Sequence, residues 1–370
     1  MAIKKTLKSL SKVNLPSKNS IAYHFFANGY NFAPKNIMFE ITHRCNLRCS
    51  TCWWWRKEGT KSEKFLNEEM TFEEIKNFVD GVSKYNPRFV ITGGEPFVRK
   101  DIYDIIKYIK SKGMYCEVIT NGIPFDPEKV VETGLDSIDI SIDGDEKTYD
   151  KIRGEGNFKK VIKNIKLLQK AREYSKPPKI TIGCTISKQN IHCLDKVVDI
   201  AHELKTNLIY QNLIFVLPEV LEKHEKELLK TFNIQTPHWR GYLIQHKELP
   251  DVEMLTKKMT LVKQKAKEKG VNVSYYPYGL CELNDLQRWY SGADDISIGK
   301  CVQPYFSARV KPNGDVVSCP RVNYHIGNLK EKSFMDIWNN KNMKYFRKQL
   351  RKQKMFPACV RCSKVMIKHD

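Results

Sequence analysis

Between residues 36 and 216, short β-prone runs alternate with helical stretches, and this alternation constrains the fold more than any other feature of the chain. Ile37–Thr42 reads as a strand that runs directly into Cys45. Thr71-Phe72-Glu73-Glu74 has the form of a capping box opening a helix to about Tyr85. Arg88–Thr92, Tyr115–Thr120, Ser137–Ile142, Ile180–Ile186 and Asn207–Phe215 read as five more strands. Ile102–Lys112, Phe158–Glu173 and Leu194–Leu204 read as helices between them. Strands separated by helices of this length imply parallel βα units. The expected fold class is α/β, a partial (β/α)6 barrel with its chemistry at the C-terminal strand ends.

The remainder divides by composition. Residues 1–35 form a basic, amphipathic N-terminal segment, 36–216 the βα core, 217–300 a helical and aromatic insert, and 301–370 a small cysteine-bearing C-terminal domain. In the insert, Glu219–Lys230 and Val252–Lys269 read as charged helices, and Tyr275-Tyr276-Pro277-Tyr278 as an aromatic segment that breaks the rhythm. Ile337–Leu350 reads as one helix. Leu213–Leu217, the longest apolar run, is far below the ~20 residues that span a bilayer.

Charge is lopsided. The formal net charge is +21, residues 1–39 hold six lysines and no acid, and residues 337–369 hold ten Lys or Arg and no acid. Two basic ends suit an anionic partner such as a membrane surface, a nucleic acid or an acidic substrate, and equally suit a lysine-rich solubilising surface. Ile3, Leu7 and Leu10 share a helical face ringed by Lys4, Lys5, Lys8 and Lys12, a pattern that suits an interfacial helix.

Eleven cysteines without an apolar secretory segment point to a reducing cytoplasm and to metal or iron–sulfur binding rather than to disulfides. Cys45, Cys49 and Cys52 follow the first strand at spacings of four and three positions. Three thiolates can hold a four-iron cubane with one iron left open. Zinc is the competing reading, with His43 or a distant residue as fourth ligand. Cys301, Cys319, Cys359 and Cys362 form a second group. Lys311-Pro312-Asn313-Gly314-Asp315 reads as a hairpin turn that brings the first two together, and either zinc or a cubane would be satisfied by the four.

Ile41-Thr42-His43-Arg44-Cys45-Asn46-Leu47-Arg48-Cys49-Ser50-Thr51-Cys52 resembles the signature loop of the radical S-adenosylmethionine (SAM) superfamily. The resemblance continues at successive strand ends through Gly93-Gly94-Glu95-Pro96, Thr120-Asn121-Gly122, Ser141-Ile142-Asp143-Gly144 and Arg153-Gly154. It implies a SAM-binding [4Fe–4S] cluster on Cys45, Cys49 and Cys52. It also implies that Gly93, Gly94, Glu95 and Pro96 bind the methionine amino group. Asn121, Ser141 and Asp143 would hydrogen-bond ribose or carboxylate, and Arg153 would pair with the carboxylate. Read alone, Gly93-Gly94 and Asn121-Gly122 are also ordinary turns, and Asp143 a helix N-cap. One departure concerns the position before the third cysteine, which the family fills with an aromatic residue. Here it is Thr51, and Trp53-Trp54-Trp55 follow the cysteine, so adenine contact is expected to pass to Trp53 or another residue.

The C-terminal group resembles the SPASM/twitch auxiliary domains through Cys301, Gly314 and Cys319, then Ile326-Gly327-Asn328-Leu329, then Asp336-Ile337-Trp338. With no cysteine after Cys362, the resemblance implies one fully ligated auxiliary [4Fe–4S] cluster. Cys281 is unassigned, and Cys116, Cys184 and Cys193 are expected in the core.

The resemblance implies an enzyme, anaerobic in its handling, that reductively cleaves SAM to a 5′-deoxyadenosyl radical and abstracts hydrogen from an unactivated C–H bond. A low-potential donor such as ferredoxin or flavodoxin would supply the electron. The basic N-terminal segment and aromatic insert direct the substrate expectation to a long-chain membrane lipid, with C–C bond formation as one outcome and a location at the inner membrane face. A peptide, protein or small-molecule substrate is the alternative. A non-catalytic zinc or nucleic-acid-binding protein is the reading from a different class, and it leaves the ordered strand-end motifs unexplained.

Overall fold

Apolar residues on alternate positions of Asn36–Thr42 (β1), Arg88–Gly93 (β2), Cys116–Thr120 (β3), Ser137–Ser141 (β4), Lys179–Ile186 (β5) and Asn207–Asn212 (β6) turn toward the covering helices. Ile37, Phe39, Phe89, Ile91, Val118, Ile138, Ile140, Ile180 and Ile182 are all buried there, and Phe39 meets Phe78 of helix Phe72–Ser83 edge to face at 5.8 Å. The protein is seen in a computed structural model that describes residues 18–55, 68–173, 176–235, 237–278, 280, 282–291, 299–319 and 321–364.

β1 to β6 pair in order and in parallel, as the alternation predicts. The sheet is larger than six strands. Val273–Tyr276 (β7) pairs parallel with β6, and Ser307–Val310 (β8) pairs parallel with β1. Asp315–Val317 (β9) and His325–Asn328 (β10) extend the β8 edge antiparallel, giving the order β10-β9-β8-β1-β2-β3-β4-β5-β6-β7.

The insert therefore continues the rhythm that it was expected to break. Asp251 caps helix Val252–Lys269, Gly270 ends it in the left-handed conformation, and the chain returns as β7 with the aromatic segment at its C-terminal end. β6 is shorter than expected. It stops at Asn212, whose buried side chain donates to the Leu280 carbonyl (3.2 Å) and accepts from the Tyr290 hydroxyl (2.9 Å), pulling the chain off the ladder. The stretch read as one helix over Ile337–Leu350 is two, Phe334–Trp338 and Lys341–Gln353. Asn340 caps the second, and Asn339 exchanges hydrogen bonds with the backbone of Asn31 at 3.0 and 2.8 Å. The capping box at Thr71 and Glu74 forms as expected.

The opposite face of the sheet, the inside of the open barrel, carries the other alternation: Met38, Glu40, Thr92, Glu117, Asp139, Ser141, Thr181, Gln211 and Arg309. It is mixed, with Val90, Ile119 and Ile209 set among these polar groups. Ile3, Leu7, Leu10 and Cys281 lie outside the described residues. Among the described residues no helix is long and apolar enough to cross a membrane.

Candidate cluster and cofactor site

The loop after β1 is held by the ends of β2 and β3 and by helix Glu146–Arg153. Gly94 N–H donates to the Thr42 carbonyl and Glu95 N–H to the Arg44 carbonyl, both at 2.8 Å. Asn121 Nδ2 donates to Asn46 Oδ1 (2.8 Å), and Ser50 N–H to the Ile152 carbonyl (2.9 Å). Arg153 Nη1 lies 3.9 Å from Cys49 Sγ. Within the loop, Leu47 N–H donates to Cys45 Sγ (3.4 Å) and Cys52 N–H to the Cys49 carbonyl (3.1 Å).

The same contacts give the two glycines a packing role. A Cβ on Gly93 would strike the Thr42 carbonyl, and a Cβ on Gly94 would lie 2.7 Å from the His43 carbonyl and closer still to that of Arg44. Gly93 also has φ +144°, which side-chain-bearing residues avoid. The pair is bare because the cluster loop packs against it.

Burial pushes the Cys45 thiol up to about 11, and its neighbours Cys49 and Cys52 act in the same direction; Cys49 is raised as well, first by burial. The three sulfurs share one partly enclosed space. Among the described residues no three His, Cys, Asp or Glu side chains converge closely enough for a single metal ion.

Glu95 is fully buried and braces the site from beneath. Its carboxyl accepts from Phe97 N–H (3.1 Å), Thr120 Oγ1 (2.7 Å) and Asn121 N–H (2.7 Å), and burial raises it to about 7. Pro96 opens the short turn that Glu95 caps. Asp143 is not the N-cap of helix Glu146–Arg153; Asp145 is, accepting from Thr148 N–H at 3.1 Å. Asp143 instead accepts from Thr185 N–H (2.8 Å) and Arg153 Nε (2.7 Å). Arg153 is thus paired inside the protein with Asp143. Ser141 ends β4 on the inner face, beside these groups.

The three tryptophans separate. Trp55 lies under the Arg48 guanidinium at 3.6 Å, and Trp54 packs on His43 at 4.5 Å. Trp53 stacks on Tyr242, with ring centres 5.2 Å apart and planes 13° from parallel. His43 Nε2 contacts Glu40 (3.0 Å), and Glu40 pairs with Arg309 of β8 across the β1 edge. Arg309 and His43 hold the buried Glu40 carboxyl well below the usual carboxylate range, against its burial. Tyr242, Arg309, Thr185 and Asn46 were not legible as site residues. Only Glu40, an acid inside an apolar strand, left a signal.

The second group is also assembled. β8 and β9 form the expected hairpin, which places Cys319 just past β9. Cys301 precedes it, and its N–H donates to the Lys354 carbonyl (2.9 Å) beside Cys359 and Cys362. Burial pushes Cys301 up to about 12 and raises Cys359 well above the usual thiol range, and neighbouring thiols of the group act in the same direction on both. Arg321 Nη1 lies 2.6 Å from Cys362 Sγ. Four enclosed thiols and a cation suit a fully ligated, anionic cluster.

A family model of the Radical SAM superfamily matches residues 39–201, and one of SPASM, an iron-sulfur cluster-binding domain, matches residues 301–363. A probable GTP 3′,8-cyclase of Pyrococcus horikoshii is 30% identical over 56% of this chain and 70% of its own. The chain belongs to the radical SAM superfamily. An AdoMet-dependent heme synthase of Methanosarcina barkeri is 26% identical over 89% of this radical SAM chain and 88% of its own. Streptococcus suis SuiB, solved alone and with its precursor peptide SuiA, shares the fold, with a TM-score of 0.62, 17% identity and coverage of 92% of this chain and 76% of that one. A second solved structure, anSMEcpe with bound AdoMet, gives a TM-score of 0.61 at 16% identity over 90% and 86%. As a radical SAM enzyme with a SPASM domain, the protein uses SAM, a [4Fe–4S] cluster and an auxiliary iron–sulfur cluster.

Proposed function

We propose that Cys45, Cys49 and Cys52 hold the SAM-binding cluster, that Cys301, Cys319, Cys359 and Cys362 hold the auxiliary one, and that the substrate is a carboxylate-bearing small molecule of porphyrin type. The observation that carries the first part is the convergence of Gly94 and Asn121, at two strand ends, and Arg153, at the end of helix Glu146–Arg153, on one three-cysteine loop. When bound, the cluster and SAM supply a one-electron cleavage that yields a radical able to abstract hydrogen from carbon. The chain's own residues shape and dry the site. Glu95 fixes the backbone at Asn121, the Asp143–Arg153 pair fixes the rim beside Cys49, and Asn121 and Ser141 are left at the inner strand ends to orient SAM. A low-potential ferredoxin or flavodoxin is the proposed electron source.

The inner face of the barrel carries the acids Glu40, Glu117 and Asp139, and it also offers cations to an anionic group. Lys311, at the end of β8, and Lys364, 5.6 Å over the Tyr276 ring, both stand near that face, and no carboxylate among the described residues lies within ion-pair distance of either ammonium. Burial lowers both lysines, so an anionic group would restore their charge balance. The same charges disfavour the lipid expected from the N-terminal segment, because a hydrocarbon chain would strip water from them without replacing it. The full-length similarity to a heme synthase supports the porphyrin reading. The test is anaerobic turnover with dithionite and SAM, offering iron coproporphyrin III in one arm and anionic long-chain lipid vesicles in the other. Substrate-stimulated 5′-deoxyadenosine in the porphyrin arm alone is expected; stimulation by lipid alone would overturn the substrate assignment.

A further inference from the structure

The contact between the two cysteine groups runs through a column of three side chains. Trp53 directly follows Cys52, the last cysteine of the first loop. Its ring stacks on Tyr242 from the insert, and a Cβ on the adjoining Gly241 would collide with the Trp53 carbonyl, so the two backbones are in close contact. The Arg321 guanidinium lies 5.4 Å over the other partner in this stack, the Tyr242 ring. Beyond Tyr242, Arg321 Nη1 reaches Cys362 Sγ at 2.6 Å. Arg321 is 7% exposed. A guanidinium held this way, against the ring face and out of water, is fixed in position and poorly screened.

We propose that Arg321 sets the reduction potential of the auxiliary cluster. The inference rests on the reading that Cys301, Cys319, Cys359 and Cys362 ligate that cluster, and adds a residue that reading does not require. Reduction adds negative charge to a cluster. A buried cation that donates to a ligand sulfur favours the reduced form and raises the potential, since hydrogen bonds to sulfur, net charge and solvent exposure are what set it. Lys364 N–H also donates to Cys362 Sγ, at 3.4 Å, but as a neutral amide. Arg321 supplies the charge. Tyr242 acts as the positioning residue, keeping the guanidinium against the sulfur and in register with the Trp53 end of the first loop.

The experiment is potentiometry of the anaerobically reconstituted full-length holoenzyme, followed by EPR, with excess SAM added to mark the signal of the open cluster. R321Q should load iron as the parent does and shift the auxiliary midpoint negative by about 59 mV or more, a tenfold less favourable one-electron reduction. R321K keeps the charge with a compact single donor in place of the planar fork, and should shift it by less. An iron-loaded R321Q with the parent's midpoint overturns the proposal. If R321Q does not load the auxiliary cluster, the neutral R321M decides: a negative shift supports the tuning role, and an unchanged midpoint contradicts it. Failure of the variants and of the parent to hold iron at this site would instead remove the ligand assignment on which the proposal stands.

Discussion

Arg153 Nε lies 2.7 Å from the Asp143 carboxylate while its Nη1 lies 3.9 Å from Cys49 Sγ, so one guanidinium ties the end of the fourth strand to the cluster loop. Asp143 is fully buried and its second oxygen takes the Thr185 N–H. Removing either partner leaves a buried charge without its counterion, a loss that typically costs about 3–5 kcal/mol. R153Q should therefore lower stability by that order in urea unfolding and loosen SAM binding. R153K should recover much of the stability, yet less of the SAM affinity, because a lysine cannot span Asp143 and Cys49 together. Equal SAM affinity in the parent and R153Q, by equilibrium dialysis, would contradict this role.

Gly94→Ala places a methyl group against the carbonyls of His43 and Arg44. Neither neighbour can retreat easily, because Gly94 and Glu95 donate their N–H groups to this same loop. The expected outcome is a displaced cluster loop with an intact sheet. Iron at the first site should fall well below that of the parent, the auxiliary site should keep its iron, and the far-ultraviolet circular dichroism should be unchanged. Retention of both clusters in G94A would show that the loop does not need this close approach.

Asp139 gives a pH prediction. An Asp carboxyl loses its proton near 3.9 in an unfolded chain. In the fold, burial first and then the neighbouring Glu117 push Asp139 up to about 7, and its Oδ1 has no hydrogen-bond partner among the described residues. Between these values the fold holds a proton that the unfolded chain has lost. Stability contributed by this group is thus full below about pH 4, falls as pH rises toward about 7, and stays low above it. Asp139→Asn removes the dependence. Its stabilising effect in denaturant unfolding should be larger at pH 8 than at pH 5 by at least about 1 kcal/mol. A gain independent of pH would argue against the raised carboxyl.

The parallel core was legible because its signals are local. Thr71 and Glu74 announce a helix start, and Ile180, Ile182 and Cys184 announce a buried strand face, without reference to distant residues. The sheet edges were not legible, because β7 joins β6 and β8 joins β1 through pairings far apart in the chain. The break at Asn339 was hidden for the same reason: its partner is Asn31, more than three hundred positions away. At the site, the proposed ligand cysteines are read from spacing and resemblance. The close packing at Gly93 and Gly94 could not be read, because the carbonyls they accommodate become neighbours only once β1 and β2 pair. Tyr242 and Arg321 carry no local signature. They matter through what they touch.

The most direct measurement is the iron content and SAM cleavage of the full-length protein against its C45A/C49A/C52A variant, both reconstituted anaerobically. Two cubanes on seven thiolates require about eight irons in the parent and about four in the variant. With dithionite and SAM, the parent should form 5′-deoxyadenosine and the variant none. A variant that keeps about eight irons, or that cleaves SAM at the parent's rate, would contradict the placement of the radical-generating cluster on Cys45, Cys49 and Cys52.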